Sequence, residues 1–382
     1  MLKILKKVVI VEDLISEALR STKSSGGMQG SSLSKSKMGS DEGFQTPRIM
    51  VIGAGGAGCN SVNRLARAGI HGAELVAINT DKLHLTTISE HVKKVLIGAS
   101  ITRGLGAGGY PEIGMKAADV SRDALEKLLS GTDLLFLTCG MGGGTGTGSA
   151  PVLAEVAKKQ GAIVIAIVTY PFALERARLE KADQGLEALT KQADTIIVID
   201  NNRLVQIVPN LPIDQAFNVA DEIIARAVRG ITETITTPSL VNLDFADVRA
   251  VMSNGGVSMI AVGEAKGPNR AKDVVVNTLH HALLDVDFTG ATGVLLHITG
   301  GPDMTLGECN SIGEALTEKV DPNATVIWGA RVTPDFDGKI EAIAIFTGIK
   351  SPYVLGKSMR QSGADSFSSK SNIGGISDIS FL

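Results

Sequence analysis

The sequence has few aromatic residues, few cysteines and no surplus of basic charge. Aromatic side chains make up 4% of its 382 residues. The three cysteines, Cys59, Cys139 and Cys309, are an odd number without close pairing, which indicates reduced thiols in a cytosol rather than a disulfide scaffold. Lys and Arg total 37 against 40 for Asp and Glu, so no overall positive field favours nonspecific binding of nucleic acid.

The sequence also lacks a long hydrophobic run. Its longest apolar stretch, Ala162–Val168, is much shorter than the roughly 20 residues that span a bilayer. The chain starts with Lys and apolar residues, as a signal peptide does, but Glu12, Asp13 and Glu17 follow and no cleavage pattern is evident. We therefore predict an amphipathic N-terminal helix, a cytoplasmic location and no direct membrane insertion.

The chain is rich in aliphatic residues and in glycine. Hydrophobic residues make up 44% and glycines number 44, which is typical of aliphatic strands joined by tight turns. From residue 47 onward, short apolar runs alternate with helical patterns, and this alternation predicts βαβ units around a parallel sheet. The fold class is therefore α/β: a parallel-sheet domain joined by a long central helix to a smaller α/β (α+β) C-terminal domain.

Composition and periodicity also predict where each part of the chain begins and ends. In the last part of the body, the segments ATVIWGARV and KIEAIAIFTG are predicted to pair around Pro334–Gly338. The C-terminal tail is polar but ends in GGISDISFL, a short apolar segment typical of a docking peptide or of a frayed terminus. The predicted parts are an N-terminal helix (1–20), a flexible linker (21–46), a first domain (47–235) that includes the central helix (about 214–234), a C-terminal domain (236–350) and a disordered tail (351–382).

Two glycine-rich loops each follow a predicted strand and precede a predicted helix. Gly53–Gly58 satisfies G-x-G-x-x-G, and Gly142–Gly148 reads GGGTGTG. Such loops bring backbone N–H groups and a helix N-terminus close to an anion, so both predict a phosphate-binding site. The first motif alone is also explained by close strand–helix packing, or by a dinucleotide-binding oxidoreductase in which Asp81 binds the ribose. The second loop favours a polyphosphate held from two sides; neither loop has the Lys of a P-loop.

GGGTGTG in this setting resembles the signature of the tubulin and FtsZ superfamily, and other segments resemble the FtsZ family of bacterial and archaeal cell-division GTPases. The resemblance covers roughly Pro47 to Gly348, and its wording is more archaeal than bacterial. It implies a GTP-binding and GTP-hydrolysing protein that polymerises head to tail. The supporting motifs, in order, are VIGAGGAGCNSVNRL, AINTD, GLGAGGYPEIGMKAA, VTYPFALE, DNNRL, DQAFNVADE and NLDFADVRAVMSNGG.

The resemblance also implies which residues bind GTP or GDP. Gly104–Pro111 corresponds to a mobile loop near the γ-phosphate, while an aromatic ring and a carboxylate from the central helix select guanine. The family's arginine is expected four residues after Glu175, but Leu179 stands there, which leaves the role of neighbouring Arg178 open. Cys59 replaces a frequent asparagine. The implied nucleotide-binding residues are Gly55, Gly56, Ala57, Gly58, Cys59, Asn60, Asn79, Thr80, Gly108, Gly142, Gly143, Gly144, Thr145, Gly146, Thr147, Gly148, Glu175, Arg178, Asn201, Phe217 and Asp221.

A third cluster consists of Asn242, Asp244 and Asp247, at the start of a predicted helix. From spacing alone, capping of that helix explains these residues equally well. The resemblance implies that they are catalytic and act on the nucleotide of the adjacent subunit, so that hydrolysis requires assembly. No metal-ligand cluster is visible in the sequence, and Mg²⁺ is expected to be held mainly by phosphate oxygens and water.

The resemblance further implies partners and a location. They are other copies of the chain and a membrane-tethering adaptor, SepF-like or FtsA-like, bound by the C-terminal peptide at the mid-cell division ring. Two alternatives stay open: an NAD-dependent oxidoreductase with a Rossmann fold, and a tubulin-like filament that determines cell shape.

Overall fold

The computed structural model describes residues 47–70, 72–202, 213–236, 244–253, 256–280 and 288–349. The predicted N-terminal helix, the linker, Asn242, the tail and its docking peptide lie outside the described residues.

The first half of the described chain alternates strands and helices. Its six strands are β1 (Ile49–Ala54), β2 (Ala73–Asn79), β3 (Lys93–Leu96), β4 (Leu134–Gly140), β5 (Ile163–Tyr170) and β6 (Thr195–Asp200). Its seven helices are α1 (Gly55–Arg67), α2 (Lys82–Thr86), α3 (Ala99–Thr102), α4 (Pro111–Asp119), α5 (Arg122–Leu129), α6 (Thr145–Lys159) and α7 (Arg176–Thr190).

A long helix then leads to a second group of strands. This helix, α8 (Ile213–Thr236), has 24 residues and extends the predicted central helix by one or two residues at each end. The remaining elements are α9 (Phe245–Ser253), β7 (Gly256–Lys266), α10 (Arg270–His280), β8 (Gly293–Gly300), α11 (Leu306–Thr317), β9 (Thr325–Val332), a single 3₁₀ turn (Pro334–Phe336) and β10 (Lys339–Thr347). No helix in these described parts is long and apolar enough to cross a membrane.

The strands form one sheet in the order β3-β2-β1-β4-β5-β6-β7-β10-β8-β9. Strands β1 to β6 are parallel, as the alternating pattern predicts. Strand β7 joins the two halves because its first residues pair in parallel with β6, from Thr195↔Gly256 to Ile197↔Ser258, and its later residues pair antiparallel with β10. The α/β fold class is confirmed.

The predicted pairing of the last two strands is wrong. β10 lies between β7 and β8 and is antiparallel to both, whereas β9 lies at the sheet edge and is parallel to β8. The physical reason is burial: seven of the nine residues of β10 are buried, while only two of the eight residues of β9 are. A strand that is apolar on both faces is most stable in the sheet interior, and the more polar strand tolerates the edge.

Helices cover both faces of the sheet. Along β1, Met50 and Ile52 belong to one apolar core, and Ile49 and Val51 belong to the other. Helices α4 to α7 contribute to the first core; α1, α8 and α9 contribute to the second. Two-sided burial explains why β1, β4 and β5 are continuous apolar runs without alternation.

Candidate functional site

The two glycine loops lie side by side at the carboxyl edge of the sheet. Strands β1 and β4 are parallel neighbours, with Ala54 opposite Cys139. Helix α1 starts at Gly55, directly after β1, and α6 starts at Thr145, five residues after the end of β4. The loops touch, since a Cβ atom added at Gly55 would lie 2.6 Å from the backbone nitrogen of Gly146. Two helix N-termini, each carrying partial positive charge, therefore converge on one place.

The glycines of the first loop divide into two functional kinds. A Cβ added at Gly53 would lie 2.1 Å from the carbonyl oxygen of Gly58, and one at Gly58 would lie 2.3 Å from that of Thr138. These two glycines are required for strand–helix packing. Gly56 is different, because it is exposed and an added Cβ would meet no atom within 4 Å. Packing and ligand approach thus explain different glycines of the same motif.

The second loop is shaped by the elements packed around it. A Cβ at Gly142 would lie 2.8 Å from the Cβ of Arg178, and one at Gly148 would lie 1.9 Å from the carbonyl oxygen of Pro111. At Gly144 it would lie 2.9 Å from the Cβ of Ala107. Only Gly143, which is half-buried, faces open space. Gly56 and Gly143 therefore mark the open side of the cradle.

The hydroxyl group of Thr80, the residue after β2, meets that of Thr145, the first residue of α6. The Oγ1 atoms of Thr145 and Thr80 are 2.6 Å apart, and Thr80 N donates to Asn79 Oδ1 at 2.9 Å. Thr80 and Asn79 are buried, so their side chains shape the cradle from below. The buried Oγ1 of Thr147 has no hydrogen-bond partner among the described residues.

The side chain of Cys59 lies inside the fold. Its thiol is buried and donates to the carbonyl oxygens of Gly53 and Ile78, each at 3.5 Å. Burial raises the pKa of this thiol to about 12. The side chain thus packs as a small apolar group between α1 and the strands. Asn60 and Ala57, by contrast, are exposed on α1.

Glu175 and Arg178 form an ion pair beside the second loop. Arg178 Nη1 lies 2.7 Å from Glu175 Oε2, and Phe172 N donates to Glu175 Oε1 at 3.1 Å. Because Gly142 packs directly against Arg178, the pair lies at the mouth of the cradle. Leu179 instead packs against the apolar core, so Arg178 is the residue of this segment that lies next to Gly142.

Two of the predicted base-binding residues, Phe217 and Asp221, lie on α8, and the third, Asn201, directly follows β6. The ring of Phe217 is 38% exposed and meets the ring of Phe172 edge to face, with centroids 5.8 Å apart. Phe217 is therefore not a core residue, although it lies on the apolar side of its helix. The buried Oδ1 of Asn201 has no hydrogen-bond partner among the described residues.

Asp221 connects α8 to α1. Its Oδ2 lies 2.8 Å from Arg64 Nε, and its Oδ1 accepts a hydrogen bond from Ser61 Oγ at 2.5 Å. Burial raises the pKa of Asp221, while Ser61 and Arg64 oppose that rise. Sequence reasoning missed Ser61, Arg64 and Phe172. The i, i+3 spacing of Ser61 and Arg64 on α1 was the available signal, but it does not identify a partner 160 positions away.

The acidic residues at the start of α9 lie far from the two loops. Arg249 of this helix donates to the carbonyl oxygen of Gly161, which lies two residues before β5 begins. Met252 of the same helix accepts, at its carbonyl oxygen, a hydrogen bond from Thr195, the first residue of β6. Helix α9 therefore lies at the amino edge of the sheet, whereas the loops lie at its carboxyl edge. A strand of six to eight residues separates the two edges by roughly 20 Å.

Asp244 and Asp247 cap α9 reciprocally. Asp247 N donates to Asp244 Oδ1 at 2.7 Å, and Asp244 N donates to Asp247 Oδ2 at 3.3 Å. This is a capping-box arrangement in which each carboxylate uses one oxygen. Asp244 is exposed and Asp247 is half-buried.

The carboxyl edge fits a guanine nucleotide. Open space at Gly56 and Gly143 lies beside two helix N-termini, and Thr147 and Asn201 each present a buried polar atom that lacks a partner among the described residues. Within those residues, no group of three or more His, Cys, Asp or Glu side chains could hold a metal ion.

Comparison with protein-family models assigns both halves of the chain. The model of the Tubulin/FtsZ family GTPase domain matches residues 48–209, and that of the FtsZ family C-terminal domain matches residues 256–350. The chain belongs to the FtsZ family. The chain is thus a cell-division GTPase of the tubulin/FtsZ family that binds guanine nucleotide, and the family assignment disfavours the oxidoreductase alternative.

Relatives and solved structures agree with this assignment. "Cell division protein FtsZ 2" of Methanocaldococcus jannaschii is 61% identical over 82% of this chain and 83% of the relative. The protein of the same name from Haloferax volcanii is 51% identical over 92% of this chain and 86% of the relative. Among solved structures, an empty FtsZ dimer from M. jannaschii matches this protein with a TM-score of 0.75 and 48% identity, over 80% of this chain and 89% of that one.

Proposed function

We propose that this protein polymerises head to tail and completes each GTPase site at the junction between two subunits. In this proposal, one subunit supplies the two glycine loops and the next subunit supplies Asp244 and Asp247. The observation that carries it is the placement of the acids at the amino edge of the sheet, roughly 20 Å from the loops of the same chain. Stacking along one direction would bring the amino edge of one copy to the carboxyl edge of another.

Electrostatics also supports a divided site. Two carboxylates beside the triphosphate held by their own chain would repel it in every state, including the free monomer. Carboxylates supplied by a neighbour meet the phosphates only after assembly. This arrangement would make hydrolysis depend on polymerisation.

The proposed roles of the nucleotide-binding residues follow from their positions. Backbone N–H groups of the two glycine loops bind the phosphates, with Gly56 and Gly143 on the open side. Glu175 and Arg178 contact the ribose region. Phe217 stacks on the base, Asn201 contributes a polar contact, and Asp221 accepts hydrogen bonds from the N–H groups of the guanine base. Ser61 and Arg64 would keep Asp221 ionised for that role.

Hydrolysis then requires a positioned water. We propose that Asp244 and Asp247 of the neighbouring subunit polarise a water for in-line attack on the γ-phosphate, and that Asn242, which lies outside the described residues, assists them. The loop N–H groups stabilise the charge that develops on the phosphate oxygens. Mg²⁺, held mainly by phosphate oxygens and water, would neutralise part of that charge.

Variants of the two acids test this proposal. Asp244→Ala and Asp247→Ala should leave GTP and GDP affinity unchanged but lower turnover by about 100-fold or more. Loss of the cap should cost only about 1 kcal/mol of stability. Asp273→Ala is a matched control, because Asp273 is an exposed acid in the first turn of another helix. Turnover per subunit is measured over a range of protein concentrations, and polymer is measured by sedimentation with GTP, GDP and a slowly hydrolysed analogue.

The concentration dependence decides between a divided site and a complete one. Wild-type turnover per subunit should rise steeply with concentration and coincide with GTP-dependent pelleting that reverses after hydrolysis. Turnover that is independent of concentration, with both acid variants fully active, would reject the divided site.

We also propose a cytoplasmic role at the mid-cell division ring, with a SepF-like or FtsA-like adaptor binding the C-terminal peptide. This rests on the family, since the peptide lies outside the described residues. CetZ2 of Haloferax volcanii, solved as a GTPγS-bound protofilament, is 22% identical with a TM-score of 0.69, which shows a shared fold alone and does not favour the cell-shape alternative.

A further inference from the structure

The segment between α3 and α4 is a glycine-rich loop whose two halves are held differently. Residues 104–110 include four glycines in the left-handed region, Gly104, Gly106, Gly108 and Gly109, with φ between 60° and 87°. Such a segment has little conformational preference of its own. Its first half is fixed to the turn after β2, where Lys82 N donates to Gly104 O at 2.9 Å and Gly106 N donates to Thr80 O at 3.1 Å.

The second half of this loop, residues 107–110, packs against the second glycine loop. A Cβ added at Gly144 would lie 2.9 Å from Tyr110 N and 3.1 Å from Gly109 N. The backbone N–H groups of Ala107, Gly108 and Gly109 make no hydrogen bond to any described residue. Successive free N–H groups in a glycine-rich turn form a concave anion-binding surface. These donors lie beside the cradle proposed for the nucleotide phosphates.

One side chain ties this half of the loop to another element. Lys181, on α7, donates from Nζ to Gly109 O at 2.7 Å, across 72 positions of sequence. The same ammonium lies 5.2 Å from the centroid of the Tyr110 ring, a distance suited to a cation–π contact. Among the described residues, no other side chain of another element hydrogen-bonds to residues 107–110.

The face of α7 that carries Lys181 also packs on the cradle. Arg178, one turn earlier, lies against Gly142, and Gly185, one turn later, is so close to Thr147 that an added Cβ would be 2.3 Å from its Cγ2. Lys181 therefore lies on a helix that packs directly against the second glycine loop on both sides of this residue. A tie from this helix can set the position of Gly109 relative to the cradle.

We propose that Lys181 is a positioning residue for recognition of the γ-phosphate. By holding the Gly109 carbonyl, it orients the free N–H groups of residues 107–109 toward the terminal phosphate and adds positive charge there. The β-phosphate, held by the two glycine loops, does not depend on it. The chain would thus distinguish GTP from GDP partly through Lys181, an inference that rests on the proposed phosphate-binding role of the loops.

The test compares GTP and GDP affinity in variants of Lys181. Lys181→Met keeps the length of the side chain but removes its donor and charge, and we expect it to weaken GTP binding about tenfold. GDP binding should change less than about twofold, since the loops that hold it are unaltered. Lys181→Arg should restore the wild-type ratio because a guanidinium also donates to a carbonyl and stacks on an aromatic ring.

Lys191→Met is the matched control, since Lys191 follows the last residue of α7 and, among the described residues, pairs only with exposed Glu187, at 3.0 Å. Both dissociation constants are measured at subunit concentrations too low for assembly, with Tm measured in parallel. Lys181→Gln gives a second measurement if Lys181→Met lowers Tm, and it should also reduce the GTP-to-GDP affinity ratio.

The outcomes separate this inference from the proposal on which it rests. An affinity ratio that is unchanged in Lys181→Met and Lys181→Gln, or that falls equally in Lys191→Met, would overturn the role of Lys181. Wild-type protein that binds neither nucleotide would instead refute the proposed phosphate-binding role of the loops. If Lys181 has a purely structural role, its variants should have a lower Tm and should bind GTP and GDP equally weakly relative to the wild type.

Discussion

Substituting Gly56 with alanine should change stability and nucleotide affinity in opposite directions. Gly56 is the second residue of α1, its φ is not in the left-handed region, and an added Cβ would meet nothing within 4 Å. Alanine lowers the conformational entropy of the unfolded chain and is a better helix former, so Gly56→Ala should stabilise the nucleotide-free protein by about 0.5–1 kcal/mol. For a chain of this size, that gain corresponds to a Tm increase of about 2 °C.

The same methyl group should obstruct the phosphates. Backbone N–H groups bind a phosphate oxygen at about 2.9 Å, so a carbon atom on the open side of the loop occupies space that the oxygens need. We expect Gly56→Ala to raise the dissociation constant of GDP at least about tenfold, equivalent to about 1.4 kcal/mol. The added stability should therefore disappear when nucleotide is present, because ligand stabilises the wild type more.

Gly307→Ala is a matched control. Gly307 is the second residue of α11, also faces open space and also lies outside the left-handed region. The substitution Gly307→Ala should raise Tm similarly and leave the affinity for GDP unchanged. Gly58→Ala should instead lower Tm, because its Cβ would lie 2.3 Å from Thr138 O. Affinity that is unaffected by Gly56→Ala, or equally reduced by Gly307→Ala, would refute the placement of phosphates at Gly56.

Two further predictions concern buried titratable groups. Burial, and to a lesser extent the charge of Arg331, lowers the pKa of His297 from 6.5 to about 4, so the fold holds this ring neutral. The stability that depends on the neutral ring is intact above pH 6.5 and is lost as the pH falls from 6.5 toward 4. Between pH 7.5 and pH 5, the free energy of unfolding measured with denaturant should fall by about 2 kcal/mol more in the wild type than in His297→Gln. Equal decreases in the two proteins would contradict this. Arg64→Met should further raise the pKa of Asp221 and weaken GDP binding about tenfold, more at pH 6 than at pH 8. Fluorescence binding at both pH values measures this, with Arg67→Met as control; a loss independent of pH would contradict it.

Periodicity predicted most of the sheet because burial determines which strands are apolar. It missed β3, whose four residues, Lys93–Leu96, include two exposed lysines and no fully buried side chain. Such an edge strand carries almost no hydrophobic signal. Periodicity also could not give the neighbours of β10, because an apolar strand shows that both faces are covered but does not identify the strands beside it.

Motifs predicted the position of the site, while the contacts within it required the structure. The glycine patterns place two loops at one sheet edge, but they do not distinguish Gly56, which faces open space, from Gly58, which is needed for packing. Asp221 contacts Ser61 and Arg64, which precede it by 160 and 157 positions, and no local sequence pattern specifies a pairing over that distance. The roles of these residues in binding stay predictions.

For Asp244 and Asp247, helix capping and hydrolysis are compatible rather than competing explanations. Each carboxylate accepts one backbone N–H of the other residue, which leaves its second oxygen available outside the helix. The cap fixes both side chains when the protein folds, so ordering them for contact with a neighbour costs no further conformational entropy. A capping pair at an exposed helix start is therefore what a site completed by another subunit would need, and loss of either acid should reduce turnover far more than it reduces stability.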